Sequence, residues 1–186
     1  MTAYIRAVRK AMPFASGRKA GPAVCDPRSM ASAESRIATA ARDVRAAPGR
    51  IFEMIADPSR QPEWDGNDNL GEAAPGQRVR SVGEVFSMTL TMGAVRENHV
   101  VEFVEGRLIA WKPAEPGQAP IGHLWRWEVE PIDDERSSVV HTYDWTDLDD
   151  ESRHPRARAT TSERLAASID RLAALVEDGR DVAGDT

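Results

Sequence analysis

From Ser35 to Arg45 apolar and polar residues alternate softly: Ile37, Thr39 and Ala41 share one parity, and Arg36, Ala38, Ala40, Arg42 and Val44 the other. A period of two predicts a strand, although residues this small leave its faces undecided. The period then lengthens. Pro48 stands where a helix tolerates proline, in the first turn, and Ile51, Phe52 and Ile55 form one apolar face behind it. Asp57-Pro58 should stop that helix, because proline disfavours helical geometry at the residue before it. Ser59 to Trp64 reads as a second short helix or a turn.

Period two then returns. Strands are predicted over Gln77–Arg80, Gly83–Met92, Val95–Val104, Arg107–Lys112, Gly122–Glu130 and Ser137–Thr146. The breaks carry turn chemistry: Ala74-Pro75-Gly76, Glu105-Gly106, Lys112-Pro113 through Pro120, and Asp133-Asp134-Glu135. Connections this short favour antiparallel meander pairing, since parallel crossovers need a dozen or more residues. Thr160-x-x-Glu163 has the form of a capping box for a long helix, with Leu165, Ile169, Leu172 and Val176 as its apolar stripe and Gly179 as its stop. The order is that of an α+β domain. A curved sheet with one amphipathic helix against its concave face encloses space, and that geometry predicts a cavity.

Composition narrows the class. The chain has 186 residues, 41% of them hydrophobic, which suffices for one domain with a core. No apolar run approaches the roughly 18 residues a membrane span needs, so no integral membrane association is expected. The only cysteine, Cys25, leaves no intrachain disulfide, and a reducing, cytoplasmic setting fits best. The formal net charge is −6; residues 1–30 hold six basic side chains against Asp26, a net of +5, so the remainder carries −11, the difference between the two. A body this acidic argues against nucleic acid as its ligand. Residues 1–33 read as a flexible basic tail, 34–179 as the folded domain and 180–186 as a second tail.

Strand parity nominates site residues. His123, Trp125, Trp127 and Val129 share a face opposite Arg126, Glu128 and Glu130, and the charged set must be solvated, so the tryptophans point inward. The same logic turns Val139, His141, Tyr143 and Trp145 inward, with Ile109 and Trp111, and Val101 and Phe103. Trp64 falls in the turn region, and Met88 and Met92 fit equally as flexible liners or as core residues. Taken one at a time these rings are more simply explained as filler for the concave face. As a set they suggest an aromatic-lined pocket with a few orienting polar groups. His141 and Tyr143 are the most chemical pair, able to move a proton or hold an enol oxygen. They lie two apart on one strand, roughly 7 Å at the backbone, so a satisfied core histidine and a backbone-bonded tyrosine explain them as well. His99, His123, His141 and His154 lack ligand spacing, so no metal is expected, and no cofactor motif is present.

Four segments, in order, carry a resemblance to a known family. They are Ala47 to Trp64 (Ala-Pro-x-x-Ile-Phe-x-x-Ile-Ala-Asp-Pro-x-x-x-Pro-x-Trp), Val100 to Trp111, Trp125 to Pro131, and Val139 to Trp145. Together they resemble the SRPBCC superfamily, also called START-like or birch-pollen-allergen-like, and within it the polyketide cyclase/dehydrase branch. The resemblance spans roughly Ser35 to Asp178. It implies the helix-grip fold: a curved antiparallel sheet of about seven strands around a long C-terminal helix, with two short helices after the first strand. It also implies a cavity for lipids, polyketides or other small hydrophobic molecules. Members of the family differ, some cyclising or dehydrating and others only binding, so the fold leaves both open. The expected ligand-binding set is Trp64, Met88, Phe103, Trp111, Trp125, Trp127, His141, Tyr143 and Trp145, with His141 and Tyr143 as the candidates for proton transfer should there be chemistry.

Overall fold

The computed structural model describes residues 35–177. The expected tails and the Gly179 helix stop lie outside the described residues. Strand β1 (Ile37–Val44) leads into helix α1 (Pro48–Ala56), a 3-10 turn over Pro58–Arg60 and helix α2 (Gln61–Trp64). Six strands follow: β2 (Leu70–Glu72), β3 (Val85–Leu90), β4 (Val95–Val104), β5 (Leu108–Ala114), β6 (Leu124–Pro131) and β7 (Ser137–Asp144). A second 3-10 turn over Glu151–Arg153 and helix α3 (His154–Arg158) precede the long helix α4 (Ser162–Glu177). The strands form one curved antiparallel sheet in the order β1-β7-β6-β5-β4-β3-β2. This is the expected helix-grip architecture.

Local chemistry explains the helical pieces. Pro48 opens α1, and Asp57, extended at its end, returns its N–H to the Glu53 carbonyl. The Asp57 carboxylate then accepts from the Ser59 N–H and hydroxyl at 3.0 and 2.8 Å, which starts the next turn. Helix α4 begins one residue later than the capping box predicts. Thr161 precedes it, accepts the first helical N–H groups from Arg164 and Leu165, and hydrogen-bonds the Glu163 carboxylate, holding that acid below its ordinary pKa. Leu165, Ile169, Leu172 and Val176 are buried, as the stripe predicts, and α4 lies against β1 and β7 while touching α1 and α2. Each such side chain contributes about 1.5–3 kcal/mol by leaving water. Arg42 ties β1 to the same helix through Asp170 and Glu177, at 2.8 and 3.3 Å.

Three expectations are corrected. The expected strand Gln77–Arg80 is irregular, because its own side chains make the bonds a ladder would: the Gln77 side-chain amide accepts from Ser87 N and donates to Ser87 O, and Arg78 bridges Glu53 and Glu105. The edge strand is β2 instead, hidden within an Asn/Asp/Gly stretch that reads as a turn. Second, β5 runs through Lys112-Pro113 to Ala114. Pro113 is tolerated because β6 pairs with β5 only as far as Trp111, so no ladder bond from its nitrogen is missed. Third, β4 carries a bulge between Val100 and Glu102. Asn98 and Val100 face inward, and the bulge leaves Val101 38% exposed.

Candidate functional site

Between the concave face of the sheet, α2, α3 and α4 lies a cavity of about 150 Å³. Its aromatic floor comes from three neighbouring strands: Trp111 on β5, Trp125 and Trp127 on β6, His141 and Tyr143 on β7. Met88 and Leu90 of β3 and Arg96 and Asn98 of β4 make one wall, and Gln61, Trp64 and Asp65 make another. The remaining side is closed by Ser168 of α4, Leu148, and Arg153, Arg156 and Ala157 around α3. Apolar cavities of about this volume hold a benzene-sized molecule.

The aromatic rings lock one another. The His141 imidazole stacks on Trp127, centroids 3.7 Å apart at 15°, and Trp64 meets the same indole edge-on at 5.0 Å. Trp125 lies 4.4 Å from Tyr143, and Phe86 meets Trp111 edge-on at 5.5 Å. Trp64 is fixed further by its indole N–H, which donates to the Met54 carbonyl at 2.9 Å. Gln61, 2% exposed, donates to the Ile55 carbonyl, so α1 and α2 close over the floor as a unit.

The loop after α2 is bolted to α4. The Asp65 carboxylate accepts from the N–H groups of Asn67, Asn69 and Leu70 at 2.7–2.9 Å. Gly66 donates its N–H to the Ser168 hydroxyl, and Arg171 binds the Asp65 carbonyl and the Asp68 carboxylate. A Cβ on Gly66 would stand 2.5 Å from both Arg164 O and Ser168 N, so only glycine allows this approach.

The polar atoms of the floor are the unusual part. Both ring nitrogens of His141, 3% exposed, and the Trp127 indole nitrogen, 1% exposed, are buried with no hydrogen-bond partner among the described residues. Burial pushes the His141 pKa down to about 3; the Leu165 backbone beside it opposes that shift but completes no hydrogen bond of ordinary geometry. Burial likewise raises the Tyr143 phenol to about 12, with Arg156 opposing. Both groups are therefore neutral across the physiological range. At the rim, His123 is pushed down to about 4, by burial first and then by Arg153, Arg156 and Arg96.

Seven of the nine expected ligand-binding residues line this cavity: Trp64, Met88, Trp111, Trp125, Trp127, His141 and Tyr143. Two do not. Phe103 lies beyond the bulge and packs edge-on against Phe52 of α1 at 5.8 Å. Trp145 follows the end of β7, where the Asp144 carboxylate accepts from the Thr146 N–H and hydroxyl and turns the chain. Its ring packs 5.2 Å from His154, with the guanidinium groups of Arg36 and Arg158 over it at 5.0 and 5.8 Å, in a separate cluster with Leu148 and Leu165. Met92 is 72% exposed at a turn and is no liner either.

Sequence reasoning missed the polar wall. Arg96 and Asn98 share the parity of Val100 before the bulge, a signal present in the alternation but read from its far side. It also missed α3, since no element was expected between Thr146 and Thr160. The Asp150 carboxylate accepts from the Ser152 N–H and hydroxyl, and Pro155 follows in the first turn of α3. The same Asp–Ser cap followed by a proline leads into α2, while α1 shares only the proline.

An uncharacterized protein of Mycobacterium tuberculosis is 29% identical to this chain over 105 residues, covering 55% of this chain and 45% of the relative. The match thus spans less than half of that relative's length. Two solved structures superpose over most of the domain. A Mesorhizobium loti protein gives a TM-score of 0.58 at 13% identity, covering 77% of this chain and 98% of its own. The Zhui aromatase/cyclase of Streptomyces sp. R1128 gives 0.57 at 17%, covering 81% and 99%. Identities at this level speak to the fold alone. The model of the family described as polyketide cyclase/dehydrase and lipid transport matches residues 35–177, the whole of the domain described above, and the chain belongs to that family.

Proposed function

We propose that the protein binds a small hydrophobic molecule, aromatic or acyl, in the cavity against Trp127 and His141. The observation that carries this reading is the set of unpartnered polar atoms on an otherwise apolar floor. Leaving a buried donor or acceptor unsatisfied costs about 1–3 kcal/mol each, and a ligand carrying one carbonyl or hydroxyl would relieve that cost while its rings or chain fill the remaining space. A neutral imidazole, an indole N–H and a phenol O–H orient such a group without adding charge. The lone cysteine favours a cytoplasmic setting for this activity; among the described residues no helix is long and apolar enough to cross a membrane. Native mass spectrometry of the purified protein tests the reading directly. A bound small molecule that dissociates on activation supports it. A protein that stays unliganded, and whose tryptophan emission does not respond to any of a panel of apolar ring compounds, would sink it.

A second reading is a cyclase or dehydratase acting on a polyketide-like substrate. It is favoured by His141 and Tyr143 both lining the cavity. Their protonation limits the form of the chemistry: a histidine whose acid form is held near pKa 3 is a weak base, whereas a protonated phenol can donate to an enolate oxygen. Tyr143→Phe should then reduce turnover by about 10²–10⁴-fold with little change in affinity. No substrate consumed by the wild type would leave binding alone.

A further inference from the structure

We infer that the ligand is an anion on an apolar stem, its ring or chain on Trp127 and its anionic head between Arg96 and Arg156 at the cavity rim. The inference rests on the binding reading above and adds the head group to it.

Charge makes the case. Beyond residue 30 the chain carries −11, yet the cavity is lined by three arginines and a single acid, Asp65. The Asp65 oxygens are engaged by three backbone N–H groups. Arg153 is already neutralised by Glu115 and Asp150, each at 3.1 Å. The other two are not. Arg96 donates only to the carbonyl of its neighbour Val95, and Arg156 makes no hydrogen bond or ion pair among the described residues. One comes from β4 and the other from α3, so the fold, not a local basic run, brings them to one rim. Elsewhere in this acidic domain the arginines readily find carboxylates: Arg42, Arg60, Arg78, Arg107, Arg126 and Arg171 all do. Two unneutralised guanidinium groups beside an apolar cavity suit a carboxylate or phosphate, which each can grip with paired N–H donors. The rim histidine, His123, has its pKa lowered by burial first, and the same arginines lower it further. A cavity of about 150 Å³ takes one ring, so a stem of a few carbons would place the head at the rim.

Isothermal titration of the full chain with 3-phenylpropionate, 3-phenylpropanamide and 2-phenylethyl phosphate tests this. The acid, the phosphate or both should bind roughly tenfold or more tightly than the amide at low salt, the scale of a charge-assisted hydrogen bond, and the advantage should shrink as salt rises. Whichever anion binds more tightly identifies the head as carboxylate or phosphate. Arg96→Ala and Arg156→Ala should each erase most of the anion's advantage over the amide, while Arg156→Lys should restore part of it. Equal affinity for anions and amide would overturn this inference and leave the binding reading standing. A loss of amide and anion affinity together in the arginine variants would also overturn it, because the role would then be structural. No binding of any of the three would overturn both.

Discussion

His141 is held in a state that water would not choose. Its imidazole lies between the Trp127 indole and the Leu165 backbone, neutral and without a hydrogen bond among the described residues. Replacing such a group by an apolar one of similar shape removes a desolvation cost. We therefore expect His141→Phe to be at least as stable as the wild type at pH 7, by chemical denaturation, while binding a carbonyl-bearing ligand several-fold more weakly. A clear loss of stability would mean that the ring nitrogens have a structural partner. The pH dependence has a definite sign. The folded pKa of about 3 lies below the unfolded value near 6.5, so the folded state binds fewer protons. The contribution of His141 is complete above pH 6.5 and is lost as pH falls from there toward 3, at no more than about 1.4 kcal/mol per pH unit. His123, lowered to about 4, acts in the same direction. Stability should fall between pH 6.5 and 4.5, and His141→Phe should flatten that slope. An identical slope in the variant would count against a buried neutral imidazole. Trp127→Phe keeps an aromatic core but shortens the platform, and should lower both dye affinity and the quenching of tryptophan emission. Unchanged dye affinity would move the ligand off this face.

Helix α4 is the element on which the others depend. Leu172→Ala, at a fully buried position on its stripe, should cost about 2–5 kcal/mol by thermal or urea unfolding. Gly66→Ala tests a subtler role. The new methyl group would meet α4 backbone at 2.5 Å, so the Asp65–Leu70 loop must move outward. We expect faster hydrogen exchange at Asn67, Asn69 and Leu70, whose N–H groups depend on Asp65, together with weaker ligand binding, since the same loop walls the cavity. Unaltered exchange there would show that the loop is not held by this contact. The elements that periodicity revealed were those paired along their whole length: β4, β7 and the α4 stripe appear close to where the alternation puts them. What stayed hidden depends on contacts distant in sequence. Gln77 imitates a strand with its side chain, β2 exists only because β3 accepts it, and the bulge turns Val101 outward while Phe103 packs on the core away from the cavity. The floor of the site was therefore legible from β5, β6 and β7. The arginine rim was not, because α3 and the first half of β4 come together only in the folded chain.

At the scale of the whole domain, β1 is the strand that completes the sheet, yet it is made first. It pairs along its full length with β7, and Arg36 reaches Thr146, 110 positions further on. During synthesis β1 therefore waits with both edges unpaired until almost the whole domain has left the ribosome, and α4, which covers it, follows later still. Small, weakly alternating residues such as Ala38, Ala40 and Ala41 make it a poor template for premature pairing with another chain during that wait. The loop that must close before β1 finds its partner also sets the tempo of folding. Refolding followed by tryptophan fluorescence should take milliseconds to seconds, the range of sheets joined end to end rather than of helical bundles. Changing Ala40 to valine should strengthen the pairing once β7 arrives, and in the same stroke make the newborn strand more adhesive to its neighbours.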